Sequence, residues 1–291
     1  MELVKKRRPS DILLGFFLLS HPGPVFIHII AVTVFILLAA WPRPLWGIVA
    51  LLIAAHTAMQ ISIAMINDYC DRRLDAASKP DKPIPRGLVY PREALIAGLF
   101  MIVVMAVLLI PLNPLALLVS LLYLALGQAY NLGLKSTPLS GIVFALALPL
   151  IPLYAFVGVG RVLPFLFWML PAGVLLGVAL NLANSVTDLE EDAAFGAKTL
   201  AVILGVKGSF LACHLLILAG TALIALLSLL HTVPANPWIM IPTLVVTCVS
   251  VGVMMLLFGA EKPVATRKVH FYLAATTCIV LAGGWLIGVI A

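Results

Sequence analysis

The chain has 291 residues, 63% of them hydrophobic and only 10% charged, and its mean hydropathy is +1.16. Soluble globular domains are closer to half apolar, so the composition excludes that class and identifies a membrane protein. The formal net charge of +6 is met by membrane topology and attraction to anionic lipid; it does not indicate nucleic acid.

In chain order, DILLGFFLL (11–19) is too short to cross before His21, Pro22 and Pro24, and is expected along the inner interface. Runs long enough to cross ~30 Å of hydrocarbon, at roughly 17–25 residues each, occupy 22–41, 45–66, 92–111, 113–130, 139–158, 163–184, 208–230, 237–258 and 270–290. The expected fold is all-α: a polytopic nine-transmembrane-helix bundle forming one domain over 1–291. No secretory cleavage pattern precedes the first span, which is expected to be retained. Short loops rich in Lys and Arg stay cytoplasmic. With the N-terminal KKRR (Lys5 to Arg8) inside, 16 of the 18 basic residues fall on that side, leaving Arg43 and Arg161 outside. All twelve Asp and Glu fall inside too. The four cysteines (Cys70, Cys213, Cys248, Cys278) show no metal or redox spacing.

Two inward loops are long, 67–91 and 185–207. The first opens with NDYCDRRLD, and Asn67, Asp71 and Asp75 read N-x3-D-x3-D; Asn184, Asp188 and Asp192 read the same, 117 residues later. An internal duplication of a span-plus-loop unit is inferred, since repeated halves of membrane proteins often meet at a central site. On a helix, residues at i, i+4 and i+8 drift about 40° per step along one face, so each copy predicts a strip of oxygen ligands. Two facing carboxylate strips repel at low dielectric and require positive charge between them.

Oxygen ligands without His or Cys suit a hard cation such as Mg²⁺, which is commonly held by one or two carboxylates plus water and substrate phosphates. Lys79, Lys82, Arg86, Lys135 and Lys198 form a basic fringe that suits an anion with several phosphoryl oxygens. A diphosphate–Mg²⁺ site at the mouth of an apolar bundle suggests a lipid diphosphate with its tail in the bundle. Asp68, Glu190 and Glu191 lie off the strips; Asp68 is either a ligand or part of a solvated face or local ion pair, and the glutamates are expected in solvent. Asn67 and Asn184 either ligate or end their spans. Asn181 is either an interhelical hydrogen-bonder or a cavity residue. His28 and His56 are expected to pack within their spans.

These residues resemble a known family. NDYCDRRLDAASKPDKPIPRG (67–87), NSVTDLEEDAAFGAKTLAVILG (184–205) and YNLGLKSTPLSG (130–141) are similar to three motifs of the UbiA superfamily of intramembrane prenyltransferases. The resemblance runs from about residue 20 to the end. It implies a central cavity, open laterally to lipid and capped on the cytosolic side by the two motif loops. By it, Asp68, Asp71, Asp75, Asp188 and Asp192 carry Mg²⁺ and, through it, the diphosphate of an isoprenyl donor, assisted by Asn67 and Asn184. Lys82, Arg86, Lys135 and Lys198 bind phosphate oxygens, and Tyr130 faces the reactive carbon, where its alternative is an interfacial aromatic anchor. Position 184 is Asn where some hydroxybenzoate-type members have an acid.

The implied activity is Mg²⁺-dependent transfer of an isoprenyl group from a prenyl diphosphate to an aromatic or other lipophilic acceptor, within a bacterial or archaeal cell membrane. A terpene cyclase on the same scaffold, and a cation or lipid-phosphate transporter, are the alternatives. No protein partner is indicated.

Overall fold

The computed structural model describes residues 7–259 and 262–291; Glu2, Lys5, Lys6 and Glu261 of the charge reading lie outside the described residues. Among the described residues, nine helical segments are long and apolar enough to cross a membrane. They follow a short helix α1 (Pro9–Leu19) and comprise α2 (Pro22–Ala40), α3 (Trp46–Ser78), α4 (Pro91–Leu109), α5 (Pro114–Asn131), the pair α6 (Ser140–Ala147) and α7 (Leu150–Gly158), and α8 (Met169–Ser185). After a six-residue helix α9 (Leu189–Ala194) come α10 (Leu200–Leu229), α11 (Pro237–Leu257) and α12 (Ala265–Ile290).

Proline and short polar caps set many of the boundaries. Pro22, Pro91, Pro114 and Pro237 stand at the first turn, where a missing N–H costs nothing and φ is already helical. Asn113, Thr199 and Asn236 accept a hydrogen bond from a backbone N–H of the first turn of α5, α10 and α11. Pro149 ends α6 and divides the fifth span into two helices. The faces are set by apolar spacing. On α4, Ile96, Leu99, Phe100, Val103 and Val107 are exposed, while Ala94, Gly98, Met105 and Leu109 are buried, a helical period with one side for lipid and one for the bundle. Helix α1 lies against the α3–α4 connection, where a Cβ on Gly15 would come 2.7 Å from Val89 Cγ2.

The expected motif loops are largely helical. Helix α3 runs 33 residues, about 50 Å at 1.5 Å per residue against ~30 Å of hydrocarbon. NDYCDRRLD is therefore the projecting last part of a spanning helix, and Asn67 neither caps nor ends it. The second copy is different. Helix α8 stops at Ser185, a 3₁₀ turn covers Val186–Asp188, and α9 follows, so Asn184, Asp188 and Asp192 do not share one continuous helical face. Equal spacing gave unequal geometry because a 3₁₀ turn advances about 120° per residue where an α-helix advances about 100°. The seventh span begins at Leu200, eight residues before its expected start, and bends at Gly205, whose φ of 66° is left-handed.

Helix α8 is brought close to α6 through Gly177. A Cβ there would lie 2.4 Å from the Phe144 carbonyl oxygen and 2.7 Å from Ala145 Cα, backbone atoms that a side-chain rotation cannot relieve. Gly177→Leu is expected to lower stability by about 1–3 kcal/mol or more, seen as a reduced thermal midpoint in detergent. An unchanged midpoint would refute the close approach.

Candidate active site

The polar end of the bundle is assembled from the last turns of α3, the segment after it, the end of α5 and the α8–α9 break. Asp68 is 1% exposed and Asp75 3%. Lys82 Nζ donates to Asp68 Oδ1 at 2.9 Å and to Asp75 Oδ2 at 2.8 Å. The spacing explains the clamp: Asp68 and Asp75 are seven residues apart on α3, two turns along one face, and the chain folds back after Ser78 to lay Lys82 over both. Burial works against the Lys82 charge, but Asp68 and Asp75 outweigh it and hold the ammonium above its ordinary pKa. His21, the residue just before α2, meets Asp68 Oδ1 through Nε2 at 2.9 Å, while Asp68 Oδ2 is buried without a protein partner.

Lys135, in the turn after α5, pairs with Asp71 and donates to Asn67 Oδ1 at 3.1 Å. Lys79, at the end of α3, reaches the second copy, meeting Asp188 Oδ1 at 3.3 Å and Glu191 Oε2 at 3.0 Å. Desolvation opposes the Lys79 charge too, and Asp188 and Glu191 raise its pKa nonetheless. The positive charge that two carboxylate strips require is thus present, supplied here by three lysines. The Lys198 backbone N–H donates to the Ser136 carbonyl at 2.9 Å, which ties the second motif to the loop carrying Lys135.

Tyr130, near the end of α5, lies against Asn184 and within electrostatic reach of Asp71, Asp188 and Asp192. Its ring packs edge-on to Phe144 at 5.6 Å between centroids. Residues of both copies thus meet around one phenol, which lines a cavity and does not stand as an anchor at the bundle surface. That cavity, about 330 Å³, begins at His21, Asn67 and Tyr130 and runs along the helices past Leu176 and Phe271 to Phe35, Ile224 and Trp285. Its volume falls within the ~300–1,000 Å³ typical of small-ligand pockets.

Not every expected residue joins this arrangement. Arg86 and Lys198 are exposed, and among the described residues neither side chain makes an ion pair. Asp192 is half-buried beside Asp188 and Glu191. Asn181 is fully buried and accepts from Ser140 Oγ at 3.2 Å, which makes it an α8–α6 bond. His56 is buried behind the cavity wall, whereas His28 lines the cavity.

Two participants escaped the sequence reading. His21 stands before Pro22 with no motif around it, 47 residues from Asp68, and no local pattern announces their contact. Arg267, 5% exposed on α12, donates to the Val186 carbonyl at 3.0 Å and to both oxygens of Glu190 at 2.6 and 2.7 Å. It pins the 3₁₀ turn that carries Asp188 and pairs with Glu190, whose side chain stays 57% exposed, facing solvent as expected. Its only sequence signal was a basic residue placed unusually close to the start of an apolar run.

The donor set is all oxygen and suits Mg²⁺ in kind, and the unpartnered Asp68 Oδ2 leaves a free acceptor. Among the described residues no three His, Cys, Asp or Glu side chains are gathered as a ready metal cage. That fits a cation held by one or two carboxylates and completed by phosphate oxygens.

The profile of the UbiA prenyltransferase family matches residues 27–287. The digeranylgeranylglyceryl phosphate synthase of Natronomonas pharaonis is 34% identical over 166 residues, 56% of this chain and 57% of the relative. A 4-hydroxybenzoate octaprenyltransferase of Neisseria meningitidis is 35% identical over 187 residues, 58% of this chain and 62% of the relative. The chain thus matches less than two thirds of the length of these curated relatives. The UbiA homolog from Archaeoglobus fulgidus bound to GPP and Mg²⁺ superposes with a TM-score of 0.75 at 18% identity, covering 94% of this chain and 99% of that one. The UbiA homolog from Aeropyrum pernix K1 gives 0.66 at 22% identity, covering 89% and 96%. The profile takes in all but the ends of the helical bundle, both acidic motifs and the cavity between them, and the chain belongs to the UbiA prenyltransferase family.

Proposed function

We propose that this protein transfers an isoprenyl group from a prenyl diphosphate to a lipophilic acceptor inside the membrane, releasing diphosphate. The observation that carries this reading is the continuity of its polar and apolar parts. Asn67 and Tyr130 belong both to the carboxylate–lysine cluster and to the lining of the cavity, so a charged head and an apolar tail can be held by one molecule. The family membership supports it, as do the relatives' names and the Archaeoglobus fulgidus homolog bound to GPP and Mg²⁺.

Asn67, Asp68, Asp71 and Asp75 on one side, and Asn184, Asp188 and Asp192 on the other, would hold Mg²⁺, which when bound supplies Lewis-acid neutralisation of the diphosphate. Lys82 and Lys135, now on carboxylates, would donate to phosphoryl oxygens, with Arg86 and Lys198 as further cations. These fixed charges stand where negative charge accumulates as the C1–O bond breaks and the diphosphate leaves with the electron pair. The apolar cavity keeps water from the allylic cation, Tyr130 faces C1, the acceptor's electron pair forms the new bond, and the acceptor loses a proton. The charged end is assigned to the cytosolic side by the positive-inside rule, in the membrane of a bacterial or archaeal cell.

The test is incubation of purified protein with geranyl diphosphate, with and without phenolic, quinonoid and glycerol-phosphate acceptors, in Mg²⁺ or in EDTA. Diphosphate release that requires Mg²⁺, together with a prenylated acceptor detected by mass, is expected. A cyclic hydrocarbon or alcohol as the main product without acceptor would make the protein a cyclase. No Mg²⁺-dependent diphosphate release with any combination would overturn both.

A further inference from the structure

The cavity has two unlike walls. Its imidazoles, amides and phenols come from α2 with the preceding His21, from α3 and from α5. The wall built by α6, α7, α8, α10 and α12 is apolar except for Cys278 and Trp285. A tail of hydrocarbon needs only the second wall. Burying polar groups beside a hydrocarbon is costly unless something hydrogen-bonds to them.

On the polar wall, Gln60 lies seven residues before Asn67 on α3 and Tyr123 seven before Tyr130 on α5. Seven residues is two turns on the same helical face, about 10 Å along the axis. Both helices therefore present a second polar group at matching depth below the carboxylate cluster. His28 of α2 completes the patch. The patch is braced from behind: Gln60 Nε2 donates to His56 Nε2 at 3.2 Å, and the His56 ring lies 6.1 Å from His28, 5.8 Å from Tyr123 and 5.7 Å from Tyr154 between centroids. Tyr154 is itself fixed by donating to the Leu52 carbonyl at 2.8 Å. A rigid set of neutral donors and acceptors specifies orientation better than a flexible one, because less ordering is required on binding.

Among the described residues, no Lys, Arg, Asp or Glu lines the cavity. A carboxylate or phosphate at the depth of Gln60 would be desolvated without a fixed cation, which is strongly unfavourable; a neutral hydroxyl or carbonyl would not be. We infer that His28, Gln60 and Tyr123 form the acceptor subsite, and that it takes a neutral ring which presents a hydroxyl or carbonyl to these residues while another ring carbon faces the donor, with the donor tail on the apolar wall. This rests on the transferase reading above.

Equilibrium dialysis of the full chain with radiolabelled hydroquinone, and with 4-hydroxybenzoate as its anionic counterpart, tests the subsite without turnover. Wild type is expected to bind hydroquinone the more tightly. Gln60→Leu and His28→Leu are each expected to weaken it about tenfold, the scale of one lost hydrogen bond in a site, with geranyl diphosphate affinity within twofold of wild type. Tyr123→Phe, which removes a single oxygen, gives a third variant should the larger changes disturb folding. Tighter binding of 4-hydroxybenzoate, or wild-type hydroquinone affinity in the folded variants, overturns the inference. The transferase reading fails separately, on absence of Mg²⁺-dependent diphosphate release.

Discussion

Asp71→Asn should lower Mg²⁺-dependent diphosphate release by roughly 10²–10³-fold, the scale of removing one preorganised electrostatic contact from a site, and Asp188→Asn should do the same. The substitution is nearly isosteric and removes one negative charge. The Asp188 side chain is 48% exposed, and its pair with Lys79 contributes little to stability at such a position. The Asp71 side chain is 16% exposed, but asparagine keeps an oxygen that accepts from Lys135, so both variants should remain folded and extractable. The prediction separates the functional charge from the structural one because the two copies are altered singly. If these carboxylates are merely a solvated face, neither change matters. Normal turnover in both variants would sink the metal-binding assignment.

The second large effect is expected at Lys82, and here the structure sharpens a simple phosphate-binding role. Lys82→Met leaves Asp68 and Asp75, 1% and 3% exposed, without the ammonium that both share. Removing one partner of a buried charge pair costs about 3–5 kcal/mol, and the remaining His21 contact reaches Asp68 only. A clear fall in thermal midpoint is expected, together with a donor KM raised more than the acceptor KM. The double variant Asp68→Asn/Lys82→Met should recover part of the lost stability, since it removes one stranded charge. A phosphate-only role predicts no change in midpoint, and a structure-only role predicts no selective change in donor KM. Either result would refute the dual role.

What could be read along the chain was what depends on neighbours in sequence. Asn67, Asp71 and Asp75 form a strip because the residues between them continue an α-helix, and the apolar period of α4 announces its two faces. The same logic misled at the second copy, whose spacing is identical but whose backbone breaks at Val186–Asp188. The buried Arg267 that holds this break lies 77 residues from Glu190. Lys82 and Lys135 were expected to meet phosphate and are found on carboxylates, because two acidic motifs drawn together attract the nearest fixed cations. Arg86 and Lys198 carry the same charge and stay exposed. Sequence alone cannot rank five lysines and arginines that differ only in the fold around them.

Composition and length by themselves determined a nine-span helical membrane protein, since ~30 Å of hydrocarbon admits few other solutions for so apolar a chain. The motifs by themselves pointed to a metal and a diphosphate, since oxygen ligands and basic residues at those spacings suit both. Only the tertiary structure decided which charges meet, that His21 and Arg267 take part, and that one cavity has a polar wall and an apolar wall. Those features depend on side chains brought together from distant helices, and their approach is fixed by packing, at contacts such as Gly177 against Phe144, which no local pattern encodes.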